Sequence, residues 1–238
     1  MKSDLYILAK ESKQASGIPN EHILFVAGLE KAGKSTAIQS ILKKSLKPSG
    51  IGIHHETFDC STYDVPFSQI NIMDINMHHK QAATYCHYVC KTSPFKVSFL
   101  LVVSGEQPLD SFRFLLFWSE VFAKHITSER VYSVTVLCSH RSAVPIKLRD
   151  HFHIFSQSLR SICFNSLHRA SLCITDMTSV DGNIACESLL LYKLLGAKKG
   201  TNRIGKDLGT FILYEEDEKD TSILDLKTCE TEMSKVFK

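Results

Sequence analysis

The chain has 238 residues, 44% hydrophobic and 22% charged, which is the usual composition of a globular domain that buries a core. Its formal net charge of +3 is spread along the sequence and does not favour binding to nucleic acid or to a membrane surface. The sequence contains no apolar run long enough for a membrane-spanning helix and no signal-peptide core, so we predict no membrane span.

Strand-like and helix-like patterns alternate along the chain. The apolar run at residues 23–27 predicts a central parallel strand, and a glycine loop and a helix at about residues 35–46 follow it. Further strands are predicted at residues 70–74, 97–103, 132–138 and 172–174, and further helices at 108–125, 150–164 and 184–195. Residues 77–91 fit either a helix or irregular structure. This alternation indicates an α/β fold with a doubly wound, mostly parallel sheet of the Ras-like P-loop type.

The chain divides by composition into three parts. Residues 1–20 form an N-terminal segment, residues 21–197 the Ras-like domain, and residues 198–238 a more polar C-terminal extension without a clear pattern. The eight cysteines are scattered within apolar segments, which is typical of free, buried thiols in a reducing compartment. Cys86 and Cys90 have helical spacing but no second ligand pair at a zinc-motif distance, so packing is favoured over zinc binding.

The sequence Gly-Leu-Glu-Lys-Ala-Gly-Lys-Ser at residues 28–35 matches the P-loop pattern between a strand and a helix. Its main-chain amides would form an anion nest beside the positive end of the helix. Lys34 would reach the β- and γ-phosphates, and the Ser35 hydroxyl would bind Mg²⁺. We predict a site for GDP, GTP or ATP with Mg²⁺; a loop that stays empty is the alternative. The candidate nucleotide-binding residues are Gly28, Lys31, Ala32, Gly33, Lys34, Ser35, Thr36 and Asp74.

The motifs that a Ras-like GTPase needs after the P-loop are altered. The chain has Asp-Ile-Asn-Met at residues 74–77, so Met77 replaces the glycine whose amide meets the γ-phosphate. Asp74 still lies where it could bind Mg²⁺ through water. The base-reading position has Ser-His-Arg-Ser at residues 139–142, without a carboxylate, and losing such a contact costs about 1.5–3 kcal/mol. We therefore assign no catalytic residue and expect loss of both hydrolysis and guanine selectivity.

The helix at residues 108–125 is apolar on two sides. Phe112, Leu115 and Leu116 fall on one stripe, and a second group falls opposite or at its border: Phe114, Phe117, Trp118 and Val121. Aromatic side chains are frequent anchors of protein interfaces. We predict that this second group contacts a partner protein; cover by the C-terminal extension is the alternative.

Several segments resemble the dynein light intermediate chains, a family of Ras-like domains. The resemblance rests on the order and spacing of residues 28–35, 99–126, 134–139, 149–164, 169–175, 192–196 and 206–213. It implies a non-catalytic, pseudo-GTPase-like subunit that docks on the tail of the dynein heavy chain in microtubule-based transport. It also implies a cytoplasmic, cytoskeleton-associated protein. His140 and Ser142 stand where the family has Lys and Asp for the base.

The alternative function is a divergent small GTPase that acts as a nucleotide-dependent switch. Ras- and Rag-type GTPases share the P-loop pattern of residues 28–35. A Rag protein continues into a large dimerisation domain, for which residues 198–238 are too few. Exchange of GDP for GTP and measurable hydrolysis would distinguish a switch from a docking subunit.

Overall fold

Seven strands form one sheet in this computed structural model, which describes residues 22–42, 60–64, 70–75, 79–92, 96–126, 131–139, 152–167, 170–175, 211–215 and 225–237. In chain order the strands are β1 (His22–Gly28), β2 (Cys60–Asp64), β3 (Ile70–Ile75), β4 (Lys96–Ser104), β5 (Val131–Ser139), β6 (Ala170–Thr175) and β7 (Phe211–Glu215). The described helices are α1 (Lys34–Leu42), α2 (His79–Thr92), α3 (Pro108–His125), α4 (Phe152–Ser166) and α5 (Leu226–Val236).

The strand order is β2-β3-β1-β4-β5-β6-β7. The strands from β3 to β6 in this order run parallel, whereas the edge strands β2 and β7 are antiparallel to their neighbours. Successive residues of the inner strand β1, such as Leu24, Phe25 and Val26, are all fully buried. Burial of consecutive residues requires cover on both faces of a strand, which is why β1 is apolar throughout rather than alternating. The predicted α/β fold with a doubly wound, mostly parallel sheet is confirmed.

Polar side chains inside the sheet bond to each other across neighbouring strands. The hydroxyls of Ser98 on β4 and Ser133 on β5 lie 2.9 Å apart, and those of Thr135 on β5 and Ser171 on β6 lie 3.3 Å apart. These hydroxyls are buried, and each bond offsets the cost of removing a polar group from water. The serine and threonine positions therefore do not interrupt the core.

Helix α3 packs against β4 and against both neighbouring helices, α2 and α4. Trp118 is fully buried. The centroid of its ring lies 6.1 Å from that of Phe99 and 6.0 Å from that of Phe122. Phe114 and Val121 are each only 6% exposed. The prediction that these residues form an outward docking face is wrong for Phe114, Trp118 and Val121, because helices on both sides cover α3. Phe117 alone of that group is partly exposed.

The sequence left four of the described elements open or unassigned, namely α2, β2, β7 and α5. Residues 79–92 form the helix α2, whose Tyr85, Cys86 and Val89 are buried in the core. The polar residues of β2 form an antiparallel ladder with β3, in which Cys60 pairs with Ile75 and Asp64 with Asn71. An edge strand needs no continuous apolar run, so neither its composition nor its period predicted it.

The C-terminal residues add to the same sheet and helix layer. β7 pairs antiparallel with β6, and α5 packs on α4. The buried face of α5 consists of Cys229 and Met233, followed by Phe237, whose ring lies 6.1 Å from that of Phe155 on α4. The carboxylate of Asp225 caps α5 by accepting hydrogen bonds from the main-chain amides of Lys227 and Thr228. The helix predicted at residues 184–195 and the start of the helix predicted at residues 150–164 lie outside the described residues.

No helix in the described part of the chain combines the length and the apolar character needed to cross a lipid bilayer.

Candidate phosphate-binding loop

The loop at residues 28–35 turns sharply between the end of β1 and the start of α1. Two of its residues have left-handed backbone conformations, Lys31 with φ 61° and Gly33 with φ 90°. Glycine adopts this conformation without a steric cost, which explains Gly33, whereas a left-handed lysine is uncommon and strained. The amide of Ala32 bonds to the carbonyl of Leu29 at 3.3 Å and closes the turn.

Gly28 holds the start of the loop against strand β4. A Cβ at this position would overlap the main-chain oxygen of Val102 and lie 3.0 Å from the Val102 Cβ. The next amide, that of Leu29, donates to the same Val102 oxygen at 3.2 Å. The first glycine of the motif is therefore required by the close approach of two strands, independently of any ligand.

The side chain of Lys34 lies across the loop. Its ammonium donates to the main-chain oxygens of Gly28 at 3.2 Å and Leu29 at 3.1 Å. Burial lowers the pKa of Lys34 below its usual value, and the nearby carboxylates of Asp74 and Glu30 oppose this shift only in part. The loop thus carries a partly buried cation at its centre, which is the feature that a bound phosphate requires.

Oxygen donors suited to Mg²⁺ lie at the same edge of the sheet. Ser35 is exposed in the first turn of α1, next to the partly buried Thr36. Asp74, near the end of β3, is 4% exposed and lies close enough to raise the pKa of Lys34. Hard cations prefer hydroxyl and carboxylate oxygens, so Ser35 and Asp74 have the chemistry of magnesium ligands. The structure therefore brings the sequence-predicted loop residues and Asp74 together.

Ser139, the last residue of β5, forms a further hydrogen bond with the loop. Its hydroxyl lies 2.7 Å from the main-chain oxygen of Ala32 and 3.2 Å from that of Val103, and the residue is 1% exposed. The sequence placed Ser139 in a base-reading motif and did not predict this contact. The available signal was its position at the carboxyl end of the strand beside β4. Residues 76–78 and 140–142, including Met77, His140 and Ser142, lie outside the described residues.

A second set of bonds fixes the ends of β4 and β5 beside the loop. The amide of Gly105 donates to the Ser139 carbonyl at 2.8 Å, and the hydroxyl of Ser111 on α3 donates to the Ser104 carbonyl at 2.8 Å. The Ser104 amide donates back to the Ser111 hydroxyl at 3.0 Å. Ser104 and Ser111 are both buried. These hydrogen bonds hold the ends of β4 and β5 together beside the loop, and the sequence did not identify them.

Comparison with known proteins gives a likeness in structure only. The sequence matches no family model and no curated protein. The conserved domain of a dynein light intermediate chain is similar, with a TM-score of 0.56 and 12% identity over 90% of each chain. A nucleolar GTP-binding protein 1 from Plasmodium falciparum has a TM-score of 0.47 and 12% identity, covering 76% of this chain and 90% of that one. The resemblance to the dynein light intermediate chains is therefore confirmed at the level of the fold.

Proposed function

We propose that this chain is a non-catalytic subunit of a cytoplasmic dynein and docks on the tail of its heavy chain. The observation that carries the proposal is the fold shared with the light intermediate chain domain over 90% of both chains. The sequence segments that resemble this family include the P-loop and strand β5, which meet at the candidate site. On this proposal the protein is cytoplasmic, is associated with the cytoskeleton and takes part in microtubule-based transport.

In this proposal the phosphate loop has a structural role. Hydrogen bonds hold the loop to two strands, through Val102 of β4 and through Ser139 of β5. A bound GDP, GTP or ATP would exchange the carbonyl contacts of Lys34 for phosphate oxygens, with Mg²⁺ on Ser35 and Asp74. Binding to the folded state alone would stabilise the fold in proportion to the logarithm of ligand concentration.

The absence of catalysis follows from the residues around the loop. Hydrolysis in this fold depends on a main-chain amide that is free to meet the γ-phosphate, and Met77 replaces the required glycine. The first residue of the base-reading stretch, Ser139, is already committed to the Ala32 carbonyl. Neither group is available for the function that a switch GTPase needs from it.

Only the partly buried apolar residues of α3 are available for the proposed contact with a partner protein. Leu109, Leu116 and Phe117 are partly buried against the core and so keep some surface for a partner. Two exposed ion pairs flank them, Asp110 with Arg113 at 3.9 Å and Glu120 with Lys124 at 3.1 Å. An apolar centre with a charged rim is the usual arrangement of a protein interface. We therefore place the α3 contribution at Phe117 rather than at Trp118.

The deciding experiment is purification of the tagged chain from its own cells, with mass spectrometry of its partners and of any released nucleotide. A dynein heavy chain among the partners, and a GTP turnover indistinguishable from that of Lys34→Ala, are expected. A preparation without any motor subunit would refute the docking role. Guanine-selective turnover that disappears in Lys34→Ala would instead identify a nucleotide-dependent switch.

A second experiment locates the interface with purified heavy-chain tail fragment. Phe117→Ala should weaken the pull-down at least fivefold, because truncating an aromatic anchor of an interface costs more than about 1 kcal/mol. Phe164→Ala is the matched control, since Phe164 is also a partly buried aromatic, on the neighbouring helix α4. Equal binding by both variants would exclude Phe117 from the interface.

A further inference from the structure

Two histidines from different helices face each other near the end of α3. The rings of His87 on α2 and His125 on α3 lie 5.5 Å apart between centroids, with an interplanar angle of 64°. His87 is partly buried and His125 is exposed, so solvent reaches the pair. Neither residue takes part in the candidate phosphate-binding loop. We propose that His87 and His125 together bind a divalent transition-metal ion such as Zn²⁺ or Ni²⁺.

A hydrogen bond fixes which nitrogen of His87 is available. Its Nδ1 lies 2.6 Å from the main-chain oxygen of His125. A carbonyl oxygen only accepts, so Nδ1 carries the hydrogen and the lone pair of the neutral ring is on Nε2. Metal-binding histidines characteristically donate their second ring nitrogen to a carbonyl or carboxylate in this way, which fixes the tautomer and orients the ring. His87 is therefore preorganised as a ligand.

The spacing of the two rings suits one shared ion. Imidazole nitrogens bind Zn²⁺ at about 2.0–2.1 Å, which places two ring centroids about 5 Å apart at a tetrahedral angle. The observed separation is 5.5 Å, and the exposed His125 can rotate about its side-chain bonds without displacing the core. Water would complete the coordination, because the described residues contain no group of three or more His, Cys, Asp or Glu side chains placed to bind a metal.

The position at the end of α3 also favours a cation. His125 is the last residue of the helix, and the following Ile126 leaves it in an extended conformation. The carboxyl end of a helix carries a partial negative charge from its unpaired carbonyl groups. Imidazole ligands select late first-row ions over Mg²⁺ or Ca²⁺, so this site would differ in specificity from the phosphate loop.

Metal binding here would join two helices that the unfolded chain does not hold together. The two residues are 38 positions apart in sequence, so the unfolded chain must close a long loop before both rings can meet one ion. An ion bound by both rings would therefore bind the native state more tightly than the unfolded state and raise the melting temperature. A surface histidine acting alone would produce a much smaller effect.

The test is thermal unfolding of the full chain, without a polyhistidine tag, in 1 mM NiCl₂ at neutral pH. Nickel is chosen because thiolates of the unfolded chain would compete strongly for zinc. We expect a rise in Tm of about 3–6 °C for the unmodified chain. His87→Gln and His125→Gln should each lose most of this rise. His153→Gln, which removes an exposed histidine of α4, should keep it.

His125→Gln keeps the main-chain oxygen that His87 contacts, so it tests the proposal even if His87→Gln unfolds. Metal-free melting curves and far-UV circular dichroism establish that each variant is folded. No rise in the unmodified chain would overturn the proposal. A rise that survives both substitutions, or one that His153→Gln reduces as much as the other two, would also overturn it.

Discussion

The hydroxyl of Ser139 lies 2.7 Å from the main-chain oxygen of Ala32 and so joins the end of β5 to a loop 107 residues earlier in the chain. In the unfolded chain nothing brings these two groups together. The bond therefore forms only when β1, β4 and β5 are in register, and it makes the shape of the phosphate loop depend on the sheet.

Ser139→Ala should lower both stability and phosphate binding. The substitution leaves the Ala32 carbonyl without this donor, and an unsatisfied buried acceptor costs about 1–3 kcal/mol. Denaturation by urea measures the first effect, and binding of a fluorescent GDP analogue the second. Ser98→Ala removes another buried hydroxyl, bonded to Ser133, and should lower stability without changing affinity. Equal affinities of all three proteins would contradict a positioning role for Ser139.

Lys34 should make stability depend on alkaline pH. Its pKa in the folded protein is below the usual 10.5, so between these two values the unfolded chain binds more protons than the folded one. Stability then rises with pH across this window. The free energy of unfolding of the unmodified protein should therefore increase relative to that of Lys34→Met as the pH is raised from 7 towards 10.5. Lys124→Met, which changes an exposed lysine, is the control. A constant difference would mean that the amine is not desolvated.

Trp118 and Phe117 are adjacent, but truncating them should lower the free energy of unfolding by different amounts. Trp118 is fully buried, and truncation to Ala should cost about 3–5 kcal/mol through the cavity it leaves. Phe117 is partly exposed, and Phe117→Ala should cost only about 1–2 kcal/mol. Chemical denaturation of the two variants measures both values. A soluble and stable Trp118→Ala protein would show that α3 is covered less completely than in this structure.

Phe237 should contribute to the stability of the whole domain rather than of a tail. Its ring lies 6.1 Å from that of Phe155, and Phe237→Ala should cost about 3 kcal/mol, the low end for a buried phenylalanine. Lys235→Ala is the neighbouring control. Lys235 pairs with Glu232 at 2.8 Å on the exposed side, and such pairs contribute less than about 1 kcal/mol. If both variants unfold at the same urea concentration, α5 does not stabilise the core.

Sequence patterns predicted the parts of the fold in which one physical requirement dominates. β1 is apolar throughout because it is covered on both faces, and the P-loop is recognisable because its glycines meet backbone constraints at Gly28 and Gly33. α5 was not predicted, because only two of its helical residues, Cys229 and Met233, are buried within a polar segment. A periodic signal needs more buried positions than that.

The remaining errors concern neighbours that a linear sequence does not show. The second apolar face of α3 was correctly identified, but its cover comes from the same domain, and no local pattern distinguishes that from a partner. The contact between Ser139 and Ala32 likewise depends on the register of three strands. The pairing of His87 with His125 depends on how α2 and α3 pack.

The position of β1 between β3 and β4 has a consequence for the route by which the chain folds. His22 pairs with Ile70 on one side and with Lys96 on the other, so the pairings of β1 cannot be completed until β3 and β4 have been synthesised. Folds dominated by such distant pairings form slowly, and their unpaired strands are prone to aggregation meanwhile. The apolar residues of β1 therefore stay exposed in the nascent chain until both partner strands are available.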